Sequence, residues 1–185
     1  MYNVLITGIT GMVGSHLADY LLENTDWKIY GLARWNDSLE NIEHLSAEIN
    51  SKERIELVYG DLNDLASLLA AVDKSKPGYV FHLAAQSYPQ TSFDSPIETL
   101  QTNILGTTNL LEALRRSKYK EAVIHVCASS EVFGRVPKEK LPILNFHLFH
   151  PFPLTLSLSF LIFEYFLKFS KLILDFYLLD LFLKL

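Results

Sequence analysis

The sequence has a single cysteine, Cys127, among 185 residues. No internal disulfide can form, and the chain suits a reducing compartment, the cytoplasm. Basic residues form no stripe or cluster and the formal net charge is -5, so nucleic acid is not an expected partner. The opening "MYNVLITGIT" lacks a basic n-region and a cleavage site, and no secretory signal is expected. No clean apolar run of about 20 residues occurs, so a membrane span is not expected either. A further lack is local. All 8 glycines, 11 alanines and 9 valines fall within residues 1–140, whereas residues 141–185 hold none of them and instead 15 Leu and 9 Phe. The two parts are different populations of sequence.

The first part alternates short apolar runs with helical patterns. "NVLITG", "WKIYGLA", "RIELVYG", "GYVFHLAA" and "EAVIHVCAS" read as five strands, apolar on both faces. Between them, Met12 to Asn24, Leu39 to Ile49, "LASLLAAVDK" and the long "SPIETLQTNILGTTNLLEALRRSK" read as helices, the last opened by Ser95 as N-cap and Pro96 at the first helical position. That alternation predicts an α/β fold, a doubly wound (Rossmann) parallel sheet in order 3-2-1-4-5 over residues 3 to 128, covered by helices on both sides.

The candidate chemistry sits at the strand ends. "TGITGMVG" spaces Gly8, Gly11 and Gly14 directly after the first strand and at the start of a helix, with Thr10, Met12 and Val13 between them. Glycines there permit a tight turn and the approach of a pyrophosphate, while the helix N-terminus offers free N–H groups. A tight strand–helix turn without a ligand is the plain alternative. After the second strand, where a dinucleotide site holds an acid for a ribose 2′-OH or an arginine for a 2′-phosphate, stands Arg34; Asp37 lies further along, beyond Trp35. This favours NADP, with NAD as the other candidate, against a solvated surface arginine. Asp61 and Leu62, in "YGDLND", are placed to meet an adenine amino group and flank its ring. "HLAAQS" follows the fourth strand, with small Ala84 and Ala85 where a cofactor passes close. His82 and His125 lie within strands and read as core or sheet-face residues. In "CASSEVFG", Ser129 and Glu131 emerge beyond the fifth strand, one able to hydrogen-bond a substrate oxygen and the other to act as general acid or base. A serine-capped turn with a solvated glutamate reads equally well from these residues alone.

Together "TGITGMVGSHLADYLLE", "YGLARW", "GDLNDLASL", "YVFHLAAQSYPQTSFDSPIET", "TNILGTTNLLEALR" and "HVCASSEVFGRVP" resemble the extended short-chain dehydrogenase/reductases (the NAD-dependent epimerase/dehydratase family), closest to the GDP-mannose 4,6-dehydratase group. The resemblance covers residues 1 to about 143, a dinucleotide-binding domain. It implies a redox-neutral lyase acting on a nucleotide sugar, GDP-mannose: hydride leaves C4 of the hexose for a tightly held NADP, water is lost across C5 and C6, and hydride returns at C6. It assigns Ser129 to assist at O4 and Glu131 to the elimination. The glycine turn, Arg34, Asp61, Leu62 and Leu83 to Gln86 are assigned to the cofactor. It also implies a homo-oligomer. The family's Tyr-x-x-x-Lys pair, expected on the next helix, is missing: no tyrosine has a lysine four positions on, Tyr165 being followed by Phe169 and Tyr177 by Leu181. A substrate domain is missing as well.

Residues 144–185 form an atypical Leu/Phe-rich tail with three readings. A membrane helix is opposed by Pro151 and Pro153 and by the charges from Glu164 onward. An amphipathic helix would place Glu164, Lys168, Lys171 and Asp175 on one face. The third reading is out-of-frame translation. Gly, Ala, Val, Asp and Glu, whose codons begin with G, number 46 in residues 1–140 and 3 in the last 45. Two functions are therefore expected of the chain: a dehydratase-family cofactor-binding part, inactive as it stands, or a non-catalytic Rossmann module docking a partner through its hydrophobic tail.

Overall fold

In the first strand, Val4 and Ile6 point to one side of the sheet and Leu5 to the other, and each joins a different buried cluster. The same period-two alternation repeats along the neighbouring strands. Tyr30, Leu32, Val58, Val80 and Ile124 join Leu5, while Ile29, Ile55 and Phe81 join Val4 and Ile6. Such strands require cover on both faces. Fully burying one Leu or Ile stabilises by about 1.5–3 kcal/mol.

The computed structural model describes residues 2–128 and Lys138. Its strands are β1 (Asn3–Thr7), β2 (Lys28–Ala33), β3 (Ile55–Tyr59), β4 (Tyr79–His82) and β5 (Val123–Val126). All pair in parallel, in order β3-β2-β1-β4-β5, with Val4 level with Ile29 on one side and Tyr79 on the other. This is the expected doubly wound sheet. Helices α1 (Met12–Asn24) and α2 (Ser46–Ser51) follow β1 and β2, and α3 (Leu65–Ser75) follows β3. Between β4 and β5 run α4 (Pro89–Asp94), α5 (Pro96–Leu100) and α6 (Gly106–Arg116). On one face α1 contributes Leu17 and Leu21 to the core; on the other α3 and α6 contribute Leu68, Val72, Leu110 and Leu114.

Three helical expectations need correction. The segment from Leu39 to Ile49 opens as a 3-10 turn, Glu40–Leu45, before α2. Three residues per turn bring Ile42 and Leu45 onto the same side, and both are buried. The single long helix from Ser95 is interrupted by a π turn, Gln101–Leu105, and preceded by the separate α4. Ser95 occupies the N-cap position of α5 without a side-chain capping bond, although Pro96 does stand in its first turn. The cap that forms is at α3, where the Asp64 carboxylate accepts from Ala66 N–H at 3.0 Å. The boundary drawn at residue 143 and the tail 144–185 lie outside the described residues.

Candidate functional site

The carboxyl edge of β1 turns sharply. Gly8 has φ +76°, a left-handed conformation that a side chain would strain, and a Cβ on it would lie 2.8 Å from Ala84 N. Gly11 N–H donates to Gly8 O at 3.0 Å, closing the turn. A Cβ on Gly14 would collide with that same carbonyl oxygen. Gly8 and Gly14 are thus required by the fold itself. Gly11 is not: a Cβ there has only Gly8 O within 4 Å, at 3.3 Å. The start of α1 at Gly11 carries no side-chain cap, and Met12 and Val13 are 69% and 41% exposed. Its leading N–H groups are taken up by no side chain, as an incoming anion requires. This turn fits a pyrophosphate group.

β4 braces the turn from beside it. Leu83 N–H donates to Thr7 O and Ala84 N–H to Thr7 Oγ1, both at 3.2 Å. The Thr7 hydroxyl also lies 2.7 Å from His82 Nδ1. Thr107 Oγ1 donates to Asn103 O at 2.7 Å, so it accepts from His82 Nε2–H at 2.9 Å, and Nδ1 of the neutral ring then accepts from the Thr7 hydroxyl. His82 is 4% exposed, and burial pushes its pKa down to about 4. It is a neutral core histidine, as its place within a strand implies. His125, half-buried beside Phe81, is also pushed down by burial.

Asn103, in the π turn, holds the next part of the loop. Its Oδ1 accepts from Gln86 N–H at 2.8 Å and its Nδ2 donates to Gln86 O at 3.0 Å. The Gln86 side chain donates to Thr99 Oγ1 and accepts from Tyr88 N–H. Leu83 to Gln86 therefore form a rigid segment against the glycine turn, with Ala85 exposed. None of Thr7, Thr99, Asn103 or Thr107 was singled out from the sequence. The visible signal was the hydroxyl-rich "TNILGTT" inside a helical pattern, where threonines bond back to carbonyls.

At the end of β2 one expectation changes. Asp37 does not lie away from Arg34. Its carboxylate folds back to accept from Arg34 N–H at 3.0 Å and from Arg34 Nε at 2.9 Å, with Thr10 Oγ1 at 3.4 Å. An acid therefore does stand at the end of β2, because the turn after Trp35 returns the chain to Arg34. Asp61 follows β3, where its Oδ1 accepts from Asn63 N–H at 2.8 Å and shapes its own turn. Leu62 is 7% exposed and packs against Gly106, which leaves it little side-chain surface to flank a ring. Ser129 and Glu131 lie outside the described residues. β5 leads toward them, with Cys127 N–H donating to His82 O at 3.0 Å.

Elsewhere, Glu112 is held down to about 2 by hydrogen bonds from Arg115 and Arg116, and Glu56 is lowered by Lys74. Both are ion-pair effects remote from the glycine turn in sequence. Among the described residues no three His, Cys, Asp or Glu side chains gather to hold a metal, and no helix is long and apolar enough to cross a membrane.

A family model described as GDP-mannose 4,6 dehydratase matches residues 5–152. The GDP-mannose 4,6 dehydratase of Drosophila melanogaster is 36% identical over 137 residues, covering 71% of this chain and 34% of that protein. GDP-mannose 4,6 dehydratase 2 of Caenorhabditis elegans is 35% identical over 153 residues, covering 80% and 39%. The chain thus spans little more than a third of the length of these relatives. Among solved structures, the Bordetella bronchiseptica enzyme WbmH in complex with NAD+ matches with TM-score 0.70 at 25% identity, over 93% of this chain and 53% of that one. A dTDP-glucose 4,6-dehydratase from Bacillus anthracis in complex with NAD has the same fold, with TM-score 0.75 at 21% identity over 93% and 52%.

Proposed function

Because the chain belongs to the GDP-mannose 4,6-dehydratase family of extended short-chain dehydrogenase/reductases, we propose that it is the dinucleotide-holding part of a nucleotide-sugar 4,6-dehydratase. The observation that carries this reading is the glycine turn: Gly8 and Gly14 serve the fold, while Gly11 stands open beside an uncapped helix start. The two solved relatives named above were determined with NAD, which supports a nicotinamide dinucleotide here.

The bound nicotinamide would supply the hydride acceptor and donor. The chain's own residues do the rest. Backbone N–H groups at Met12 and Val13 receive the pyrophosphate, which passes close to Gly11. Leu83 to Gln86 border its path, with the Asn103 side chain keeping that segment in place. Asp61 receives the adenine amino group. Arg34 receives a 2′-phosphate, which makes NADP the preferred form, and Asp37 opposes it as the acid that would accept from a free 2′-OH. Ser129 would donate a hydrogen bond at O4 of GDP-mannose and Glu131 would move a proton in the loss of water. The 185-residue chain has no Tyr-x-x-x-Lys pair to take the O4 proton, so it holds cofactor without turnover.

Calorimetric titration with NADP and NAD tests the reading. NADP is expected to bind more tightly. Arg34→Ala should weaken NADP by on the order of 1–3 kcal/mol while leaving NAD nearly unchanged. Asp37→Asn should weaken NAD and spare NADP. Failure of the chain to bind either nucleotide rejects the proposal; tighter binding of NAD rejects the role of Arg34.

A further inference from the structure

The most exposed tryptophan of the described residues is Trp35, 82% exposed directly after Arg34. One face of its indole lies on the ring of Tyr59, with centroids 3.8 Å apart and planes 9° from parallel. Tyr59 is itself 39% exposed and is the last residue of β3, in register with Ala33 at the end of β2. Gly60 N–H donates to Ala33 O at 3.0 Å, which joins the two strand ends just below the pair. The stack is therefore fixed to the sheet from the Tyr59 side. Covering Tyr59 uses only one face of Trp35, and a large apolar surface left open in this way is informative.

The neighbours of the stack define what it would accept. Arg34 is adjacent in sequence, and Asp37 ties Arg34 to Thr10 of the glycine turn. Tyr59 is followed within two residues by Asp61, an acceptor for an exocyclic amino group. A flat aromatic face, a cation and a phosphate-binding turn thus follow one another along the carboxyl edge of β3, β2 and β1. We infer that the free face of Trp35 is a stacking platform for the adenine ring of the dinucleotide, making Trp35 a binding residue at the end of the site remote from the chemistry. The inference rests on the dinucleotide reading and adds to it the surface that holds the base. The Trp35–Tyr59 pair takes over the flanking role that the sequence suggested for Leu62, whose side chain is committed to the core.

The chain has one other tryptophan, Trp27, which packs between Tyr79 and Tyr2 just before β2 begins, at the opposite edge of the sheet. Trp27→Phe leaves Trp35 as the sole indole reporter. Titration of the full chain with 2′-phospho-ADP-ribose, which lacks nicotinamide, should quench Trp35 fluorescence, and nicotinamide mononucleotide should not. In calorimetry, with Trp27 in place, Trp35→Ala should weaken 2′-phospho-ADP-ribose by roughly tenfold, the usual scale of one base–aromatic stack, while Trp35→Phe should retain most of the affinity. Far-UV circular dichroism of both variants should match the wild type. Unchanged affinity in Trp35→Ala overturns this inference alone. Quenching by GDP-mannose in place of 2′-phospho-ADP-ribose also overturns it, since the platform would then serve the substrate base. If the wild-type chain binds no 2′-phospho-ADP-ribose, the dinucleotide reading falls and this inference with it.

Discussion

Three glycines with the same spacing in a motif have different reasons to exist. Replacing Gly14 with alanine drives a Cβ into Gly8 O, a backbone atom that cannot swing aside. Overpacking of this kind costs about 1–3 kcal/mol, so Gly14→Ala should lower the urea midpoint clearly. Gly11→Ala meets one atom at 3.3 Å and should leave the midpoint close to wild type, yet weaken the dinucleotide in calorimetry. If both variants lose stability equally, Gly11 serves the fold and not a ligand. His82 supports a second prediction at this scale. Burial lowers its pKa from 6.5 to about 4 in the folded chain. The unfolded chain therefore takes up a proton first as pH falls, and stability that is full above about 6.5 is lost progressively toward 4. The loss is on the order of 3 kcal/mol by linkage. Urea unfolding at pH 7.5 and pH 5 should show part of that fall, and His82→Gln should flatten this component; a wild-type curve with no His82-dependent slope would exclude the neutral relay.

The π turn shows how an element can be shaped by a neighbour it must hold. A regular helix through Gln101–Leu105 would carry Asn103 at an ordinary helical position; the widened turn sets its amide against both backbone groups of Gln86. Asn103→Leu removes both bonds and leaves a part-buried N–H and C=O without that partner. The expected cost is about 2–3 kcal/mol, with faster hydrogen exchange at the Gln86 amide and little change at β2 or β3 amides. Uniformly faster exchange across the sheet would mean that Asn103 supports the whole fold and not the loop. This element also marks the limit of sequence reading. Strand runs such as "NVLIT" and "IELVY" were legible because burial on both faces leaves little choice of residue. The glycine turn was legible because tight backbone geometry has so few solutions. The π turn and the Thr7–His82–Thr107 chain were not legible, since each depends on a hydrogen bond between segments apart in sequence; the return of Asp37 to Arg34 is local, but it depends on a turn whose path the residue types did not specify. The burial of Leu62 was not legible either, because it depends on Gly106, forty-four positions on.

At the scale of the whole molecule, under the proposed function the 185-residue chain is expected to hold a cofactor without using it. Incubated with GDP-mannose and NADP, it should form no measurable 4-keto-6-deoxy product. A positioned general base is worth about 10²–10⁴-fold in rate, and orientation of the sugar contributes further. Turnover matching a relative of full length would show that another group takes the O4 proton. The same chain should still bind NADP, so that binding and turnover are independent measurements on one sample.

The glycine turn after β1 is braced by His82 and Ala84, which lie 75 and 77 positions from Thr7. A chain leaving the ribosome can pair β1 with β2 and β2 with β3 early, but it cannot set this turn until β4 has been made and has docked. The turn therefore cannot take its final form before residue 84 has been made. Whatever binds it is offered nothing by the partly made chain, and its binding free energy goes wholly to the closed sheet. At a hundred times its Kd a ligand of this kind adds about 2.7 kcal/mol. Under the proposed function, urea unfolding with NADP at that excess should therefore show a correspondingly higher midpoint than unfolding without it.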